Sequence, residues 1–205
     1  IRITPDLASA PYTWFEGDDQ YLGMTLTPGL NVDRIGDLYN GDTLLSSYEG
    51  VTVWHSGYSG MPEQTIPLYS NADTAQGGTL IDTSTDPKHT AGAWIERTSS
   101  ADTIRLQVNI EYLLYDTTSK GKPKSNSEQF QLQYRPAGSS TWLTWGSYTV
   151  SNSTQKTRRV TYARDVAQGQ YDVRVRTAGL NTDGRGAQCN ATWNTLTSIQ
   201  QDTAS

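Results

Sequence analysis

Apolar and polar positions alternate with a period of two along most of the second half of the chain. Ile104, Leu106, Val108, Ile110, Tyr112 and Leu114 alternate with Arg105, Gln107, Asn109 and Glu111. Successive side chains of a strand point to opposite faces, so this run predicts a strand with one buried and one solvated face. Phe130, Leu132 and Tyr134 repeat the pattern against Gln129, Gln131, Gln133 and Arg135. Tyr171, Val173 and Val175 repeat it against Asp172, Arg174 and Arg176. No window keeps apolar residues at the i, i+3, i+4, i+7 spacing over three helical turns, which predicts a nearly all-β chain.

Turn signals separate these runs. Pro136-Ala137-Gly138-Ser139-Ser140 and Ala167-Gln168-Gly169 divide strands, and Asp183-Gly184 is a hairpin cue. Seven strands are predicted, near 92–98, 103–115, 128–135, 142–150, 156–163, 170–177 and 188–199. That count and span suit an immunoglobulin-like or fibronectin type III sandwich. The stretch from Gly169 to Gly179 resembles a fibronectin type III F strand, where a corner tyrosine precedes an alternating Val/Arg run. Residues 88–205 are therefore assigned to a seven-stranded sandwich. Thr117–Ser127, with Lys120, Lys122 and Lys124 around Gly121 and Pro123, is expected to be a long flexible connection.

Residues 1–87 are richer in Gly, Pro and Asp. Tyr21–Leu26 and Gly50–Trp54 are expected as strands, Leu38–Leu45 as a hairpin around Asn40-Gly41-Asp42, and Thr65–Ser70 as a further strand. Asn71–Pro87, rich in Asp, Thr and Gly, is expected as a linker or wrapping arm. Together these make a small irregular β subdomain, weakly stable alone.

Composition narrows the function. A chain of 205 residues is one large domain or two small ones. A net charge of -5 argues against broad nucleic-acid binding, which needs a cationic surface. A mean hydropathy of -0.61 with no long apolar run argues against insertion in a membrane. The single cysteine, Cys189, excludes an internal disulfide and is expected to be buried. Two histidines, His55 and His89, leave little material for a metal site or a histidine relay, and no cofactor is expected.

Individual candidates are weak. Asp18 and Asp19 follow Glu16-Gly17 without calcium-loop spacing and read as a turn. His55 reads as a strand end, with no nucleophile signature nearby. Glu63, Glu96, Glu111 and Glu128 are carboxylates that no context singles out, so no catalytic residue is assigned. Asn152-Ser153-Thr154 and Asn190-Ala191-Thr192 match a short sequon that is common by chance. The candidate contact residues are Trp14, in the Tyr12-Trp14-Phe15 cluster, Trp142, and the basic Lys120, Lys122 and Lys124. Trp142 and Trp145 stand three apart and face opposite sides of a strand, one in the core and one available for contact. Arg158, Arg159, Arg164, Arg174 and Arg176 make the second half locally cationic; outward charges of this kind protect strand edges or meet an anionic partner.

Two stretches resemble the tail-tip host-specificity protein J family of lambda-like siphophages. One runs from Pro28-Gly29-Leu30-Asn31-Val32 through Ile35-Gly36-Asp37-Leu38-Tyr39-Asn40-Gly41-Asp42-Thr43 and Tyr48-Glu49-Gly50-Val51-Thr52-Val53-Trp54 to Gly57-Tyr58-Ser59-Gly60-Met61-Pro62-Glu63-Gln64. The other is Tyr171-Asp172-Val173-Arg174-Val175-Arg176 followed, after a loop, by Ala191-Thr192-Trp193-Asn194-Thr195-Leu196-Thr197-Ser198-Ile199, with Leu196 and Ser198 where the family often has Tyr and Glu. The first twenty residues take no part. The resemblance implies a structural part of the virion at the phage tail tip, not an enzyme. It also implies a trimeric hub of identical copies in the full-length protein, other tail-tip proteins as partners, and a bacterial surface receptor as a further one. The alternative is a carbohydrate-binding sandwich module of a cell-surface or secreted protein, using Trp14 or Trp142 to stack on sugars.

Overall fold

The computed structural model describes residues 3–29, 32–53, 71–81, 92–178 and 188–200. The chain is nearly all β, as its alternation predicts, and its contacts divide it into two compact units. Residues 1–10 and 24–68 form one unit; 11–23 and 69–205 form the other.

The first unit carries two short pairs. β1 (Asp6–Leu7) pairs antiparallel with β4 (Leu26–Thr27), while the intervening β2 (Tyr12–Gly17) and β3 (Asp19–Gly23) belong to the second unit. β5 (Tyr39–Asn40) and β6 (Thr43–Leu44) make the expected hairpin, with Gly41 at a φ of 60°. A positive φ at this tight turn is why glycine follows Asn40. A single 3-10 turn, Leu45–Ser47, follows. Among the described residues of this unit only Ser9 is buried, while Ile3, Leu7, Met24, Leu26, Tyr39, Leu44, Tyr48, Val51 and Val53 are exposed. Its described residues thus form no apolar core. The strand expected at Gly50–Trp54 is absent over residues 50–53, and the one at Thr65–Ser70 lies outside the described residues.

The second unit is a two-sheet sandwich. Its strands are β2, β3, β7 (Asn71–Ile81), β8 (Ile95–Thr98), β9 (Thr103–Thr117), β10 (Pro123–Lys124), β11 (Asn126–Pro136), β12 (Leu143–Asn152), β13 (Arg158–Gly169), β14 (Tyr171–Thr177) and β15 (Gln188–Gln200). The larger sheet runs β3-β2-β13-β9-β15-β7, with β10 also on β9; the smaller runs β12-β11-β14-β8. Their facing sides bury Leu106, Val108, Ile110 and Leu114 of β9 with Phe130, Leu132, Val173, Val175, Cys189, Trp193 and Leu196. Each large apolar side chain so buried contributes about 1.5–3 kcal/mol. The corner tyrosine is in place: the Tyr171 hydroxyl donates to the Ala167 carbonyl at 2.6 Å. In the immunoglobulin arrangement the last strand sits in the C-F-G sheet. Here β15 lies between β9 and β7, and β8 takes the place beside β14.

Four expectations need correction. Asn71–Pro87 is not a linker throughout, because 71–81 is β7, an edge strand paired with β15 from Gln200↔Asn71 to Ala191↔Ile81. Its polar, Gly-Gly sequence reads as loop because glycine is needed for close approach: a Cβ at Gly77 would stand 2.0 Å from the Trp193 carbonyl oxygen. The domain boundary therefore does not follow residue 87, since β2, β3 and β7 all join the larger sheet. The strand expected at Tyr21–Leu26 is the second arm of the β2–β3 hairpin and ends at Gly23. Thr117–Ser127 is not a loose connection: Pro123 and Lys124 pair with Thr117 and Asp116, and the turn closes with Gly121 N–H on the Thr118 carbonyl at 2.8 Å.

Candidate interaction surface

The outward face of the smaller sheet carries a polar surface built by strand register. Pairing in register sets Gln131 beside Arg176, Gln133 beside Arg174 and Arg135 beside Asp172. On the other flank it sets Glu96 beside Arg174 and Thr98 beside Asp172. Trp94 shares the parity of Glu96 and Thr98, and so the face.

These side chains build a ladder of guanidinium and indole groups. The Arg135 guanidinium lies 4.2 Å from the Trp142 ring centre and that of Arg174 lies 4.0 Å from it. Arg174 and Arg176 each lie 4.4 Å from the Trp94 ring centre. Such contacts contribute about 0.5–1 kcal/mol when exposed and about 2 kcal/mol when desolvated. Hydrogen bonds hold the rungs. Arg174 donates from Nε and Nη2 to Gln133 Oε1 at 2.8 and 2.6 Å, and Arg176 donates from Nε to Gln131 Oε1 at 2.8 Å. Arg135 donates to Asp172 at 3.0 Å, and Thr98 donates to the other oxygen of that carboxylate at 2.8 Å. Desolvation lowers the Arg174 pKa below its ordinary value; the Glu96 charge opposes this, and the charges of Arg135 and Arg176 add to it. Three guanidiniums face two carboxylates, Glu96 and Asp172, so the face is cationic by one charge.

The structure separates the sequence candidates. Trp142 lies in this ladder, and Trp145 is the core member of the pair, 7% exposed. Two guanidiniums already engage the Trp142 ring. Trp14 is in the other sheet, on β2, stacked on Tyr21 at 5.4 Å and tilted against Tyr12 at 5.6 Å, with its indole N–H on Glu16 at 3.0 Å. The three lysines do not act alike. Lys124 is paired with Asp116 at 2.6 Å, and its hydrogen bond is the main cause holding that carboxyl below its ordinary pKa. Lys120 and Lys122 remain exposed in the turn.

Other outward arginines pair locally: Arg158 with Asp18, Arg159 with Glu111 at 2.9 Å, and Arg105, through one terminal nitrogen, with Asp165 at 3.0 Å. Exposed pairs of this kind contribute about 0–1 kcal/mol each and act mainly on edge protection and solubility. Cys189 is buried as expected, its thiol 3.9 Å from Glu128, which is itself fully buried and accepts the Gln129 N–H at 2.8 Å. Asn152 is 8% exposed and its side chain bonds Thr154 and Lys156, so this sequon is a folded turn and not an open acceptor. Asp18 lies in the two-residue β2–β3 turn. His55, Glu63 and His89 lie outside the described residues. Among the described residues no group of three or more His, Cys, Asp or Glu is arranged to hold a metal. Sequence reasoning missed Trp94; its spacing of two from Glu96 was the available signal.

A family model described as tip attachment protein J, FNIII-A domain, matches residues 82–202, which takes in β8 to β15. No curated protein matches the chain. Among solved structures, CBM35 from Cellvibrio japonicus Abf62 is 17% identical, covers 65% of this chain and 95% of its own, and has a TM-score of 0.30. Desmodium yellow mottle tymovirus is 10% identical, covers 72% and 99%, and has a TM-score of 0.22. At those TM-scores neither likeness bears on fold or function.

Proposed function

We propose, from the premise that the chain belongs to the FNIII-A domain family of tip attachment protein J, that it is a structural domain of a bacteriophage tail-tip protein. It contributes to tail-tip assembly and host attachment through surface contacts and turns over no substrate. The family match over residues 82–202 carries this reading. The ladder face supports it, since stacked arginines and tryptophans present guanidinium edges with little entropy left to lose on docking. Its partners are other tail-tip proteins, copies of the same protein in a trimeric hub, and a bacterial surface receptor. Gold-labelled antibodies raised against this chain and imaged on intact particles test the reading. Label at the distal tip of the tail is the expected result. Unlabelled particles, with the antigen found only off the virion, would overturn it.

A further inference from the structure

The outward face of the larger sheet holds a cleft that the ladder does not touch. It exists because two strands depart from regular pairing. β2 pairs with β13 only at Gly17 and Glu16, opposite Arg159 and Val160. At the next residue the Phe15 N–H donates to the Thr161 hydroxyl at 2.8 Å instead of to a strand carbonyl. Across the sheet β15 carries a bulge: Trp193 pairs with Ile110 and Thr195 with Asn109, leaving Asn194 as the extra residue. Bulges re-aim side chains and recur beside binding sites. The cleft between these departures has a volume of about 300 Å³ and is bordered by Phe15, Arg159, Asn109, Glu111, Asn194 and Thr195.

Its floor is locked and its rim is open. The Asn109 amide donates to Thr195 at 2.8 Å and to Thr197 at 3.2 Å, and its carbonyl oxygen accepts from Thr161 at 2.6 Å. Asn109 is thus engaged by three threonines, Thr161, Thr195 and Thr197. Thr195 receives that bond, which leaves its own proton to donate. The Asn194 amide has no hydrogen-bond partner among the described residues. Arg159 sits 5.5 Å from the Phe15 ring centre and donates to one Glu111 oxygen at 2.9 Å, leaving the other oxygen to accept.

The chemistry of a ligand follows from these groups. The Arg159 and Glu111 charges cancel, so an anion or a cation gains little. A purely apolar ligand would strand the amide, the hydroxyl and the carboxylate. A neutral molecule with one C–H face and a rim of hydroxyls satisfies the aromatic wall and the planar polar groups together. The volume suits a unit of one or two rings and not a peptide strand. We propose that this cleft is a saccharide subsite. Phe15 stacks on the ring face, and Asn194, Thr195, Glu111 and Arg159 bond its hydroxyls. The hairpin thereby contributes Phe15 to the site and not Trp14.

Titrating the full chain with the methyl glycosides of glucose, galactose, N-acetylglucosamine and rhamnose, followed by amide chemical shifts, tests the proposal. A single-sugar site of this size is expected to bind at about 1–10 mM. Saturable shifts should centre on Asn109, Asn194 and Thr195 for at least one probe. Phe15→Ala and Asn194→Ala should each weaken binding about tenfold, equal to about 1.4 kcal/mol. Trp14→Ala and Trp142→Ala should leave it unchanged. Asn194 is a side chain at a bulge outside the core, so Asn194→Ala remains informative if Phe15→Ala loses its fold, which the dispersion of the same spectra reports. Absence of saturable shifts with all four probes, shifts centred elsewhere, or binding indifferent to Asn194→Ala would overturn it. The tail-tip reading survives any of these outcomes, because it concerns where the protein resides.

Discussion

Gly77 lies in the middle of β7, and replacing it with alanine tests whether residues 71–81 are a true strand of the sandwich. The added Cβ would stand 2.0 Å from the Trp193 carbonyl oxygen, 2.6 Å from its carbonyl carbon and 2.7 Å from its Cγ. Trp193 is fully buried, and Arg97 clamps the Gly77 carbonyl from β8, so neither side is free to give. Two relaxations remain. Shifting the backbone to accept an overpacked methyl costs about 1–3 kcal/mol. Releasing β7 exposes Leu80 and Ile81, each 7% exposed in the fold, at about 1.5–3 kcal/mol apiece. The cheaper route dominates, so Gly77→Ala should cost about 2 kcal/mol or more. For a unit of this size that is a fall in Tm of roughly 4–8 °C. Gly36→Ala is the control, because nothing lies within 4 Å of the Cβ it would add. Differential scanning calorimetry reads both. A Gly77→Ala variant melting with the parent would show that β7 does not pack on β15, and the corrected domain boundary would fall with it.

Other expectations follow from the same packing. Tyr171→Phe removes the 2.6 Å hydrogen bond to Ala167 and should cost about 1 kcal/mol in urea denaturation; a neutral result would deny the corner its role. A double-mutant cycle on Trp94 and Arg174, which lie 4.4 Å apart, should return a coupling of about 0.5–1 kcal/mol, and zero coupling would mean that the rungs do not stack in solution. Tyr162 lies stacked on Tyr148 with ring centres 4.0 Å apart, and burial raises its pKa, with Tyr112 and Tyr148 adding to the shift. The folded state therefore holds this proton more tightly than the unfolded state, whose tyrosines ionise near 10. The associated stability is intact below about pH 10 and is lost as pH rises toward the folded value. Tyr162→Phe should flatten that alkaline loss relative to neutral pH, and an unchanged slope would refute the assignment.

Much of the sandwich is legible before any coordinates. β9, β11 and β14 carry strict alternation, and their inward residues Leu106, Phe130, Leu132, Val173 and Val175 are all fully buried. The resemblance of Gly169 to Gly179 to a fibronectin type III F strand located the corner tyrosine, and the structure supplied its hydrogen bond to Ala167. β7 was illegible because its composition reflects a close approach to Trp193 and not its own propensity. Gln107 shows the limit of alternation: it belongs to the polar face of β9 and is nonetheless 1% exposed.

The surfaces divide along the same line. The arginines of β14 could be named and pointed outward from their spacing, while for Trp142 and Trp145 the spacing gave opposite faces and the structure decided which is buried. The assembly of these arginines and Trp142 with Trp94 into one ladder depends on β8 lying beside β14, which no local pattern encodes. The cleft is further still from the sequence, since Asn194 is a bulge residue only by virtue of how β15 pairs with β9. Alternation is a property of neighbours in the chain, so the sequence by itself determined the strands and which face of each is apolar. Pairing order, bulges and cross-strand stacks depend on contacts between residues tens of positions apart, and those only the tertiary structure decided.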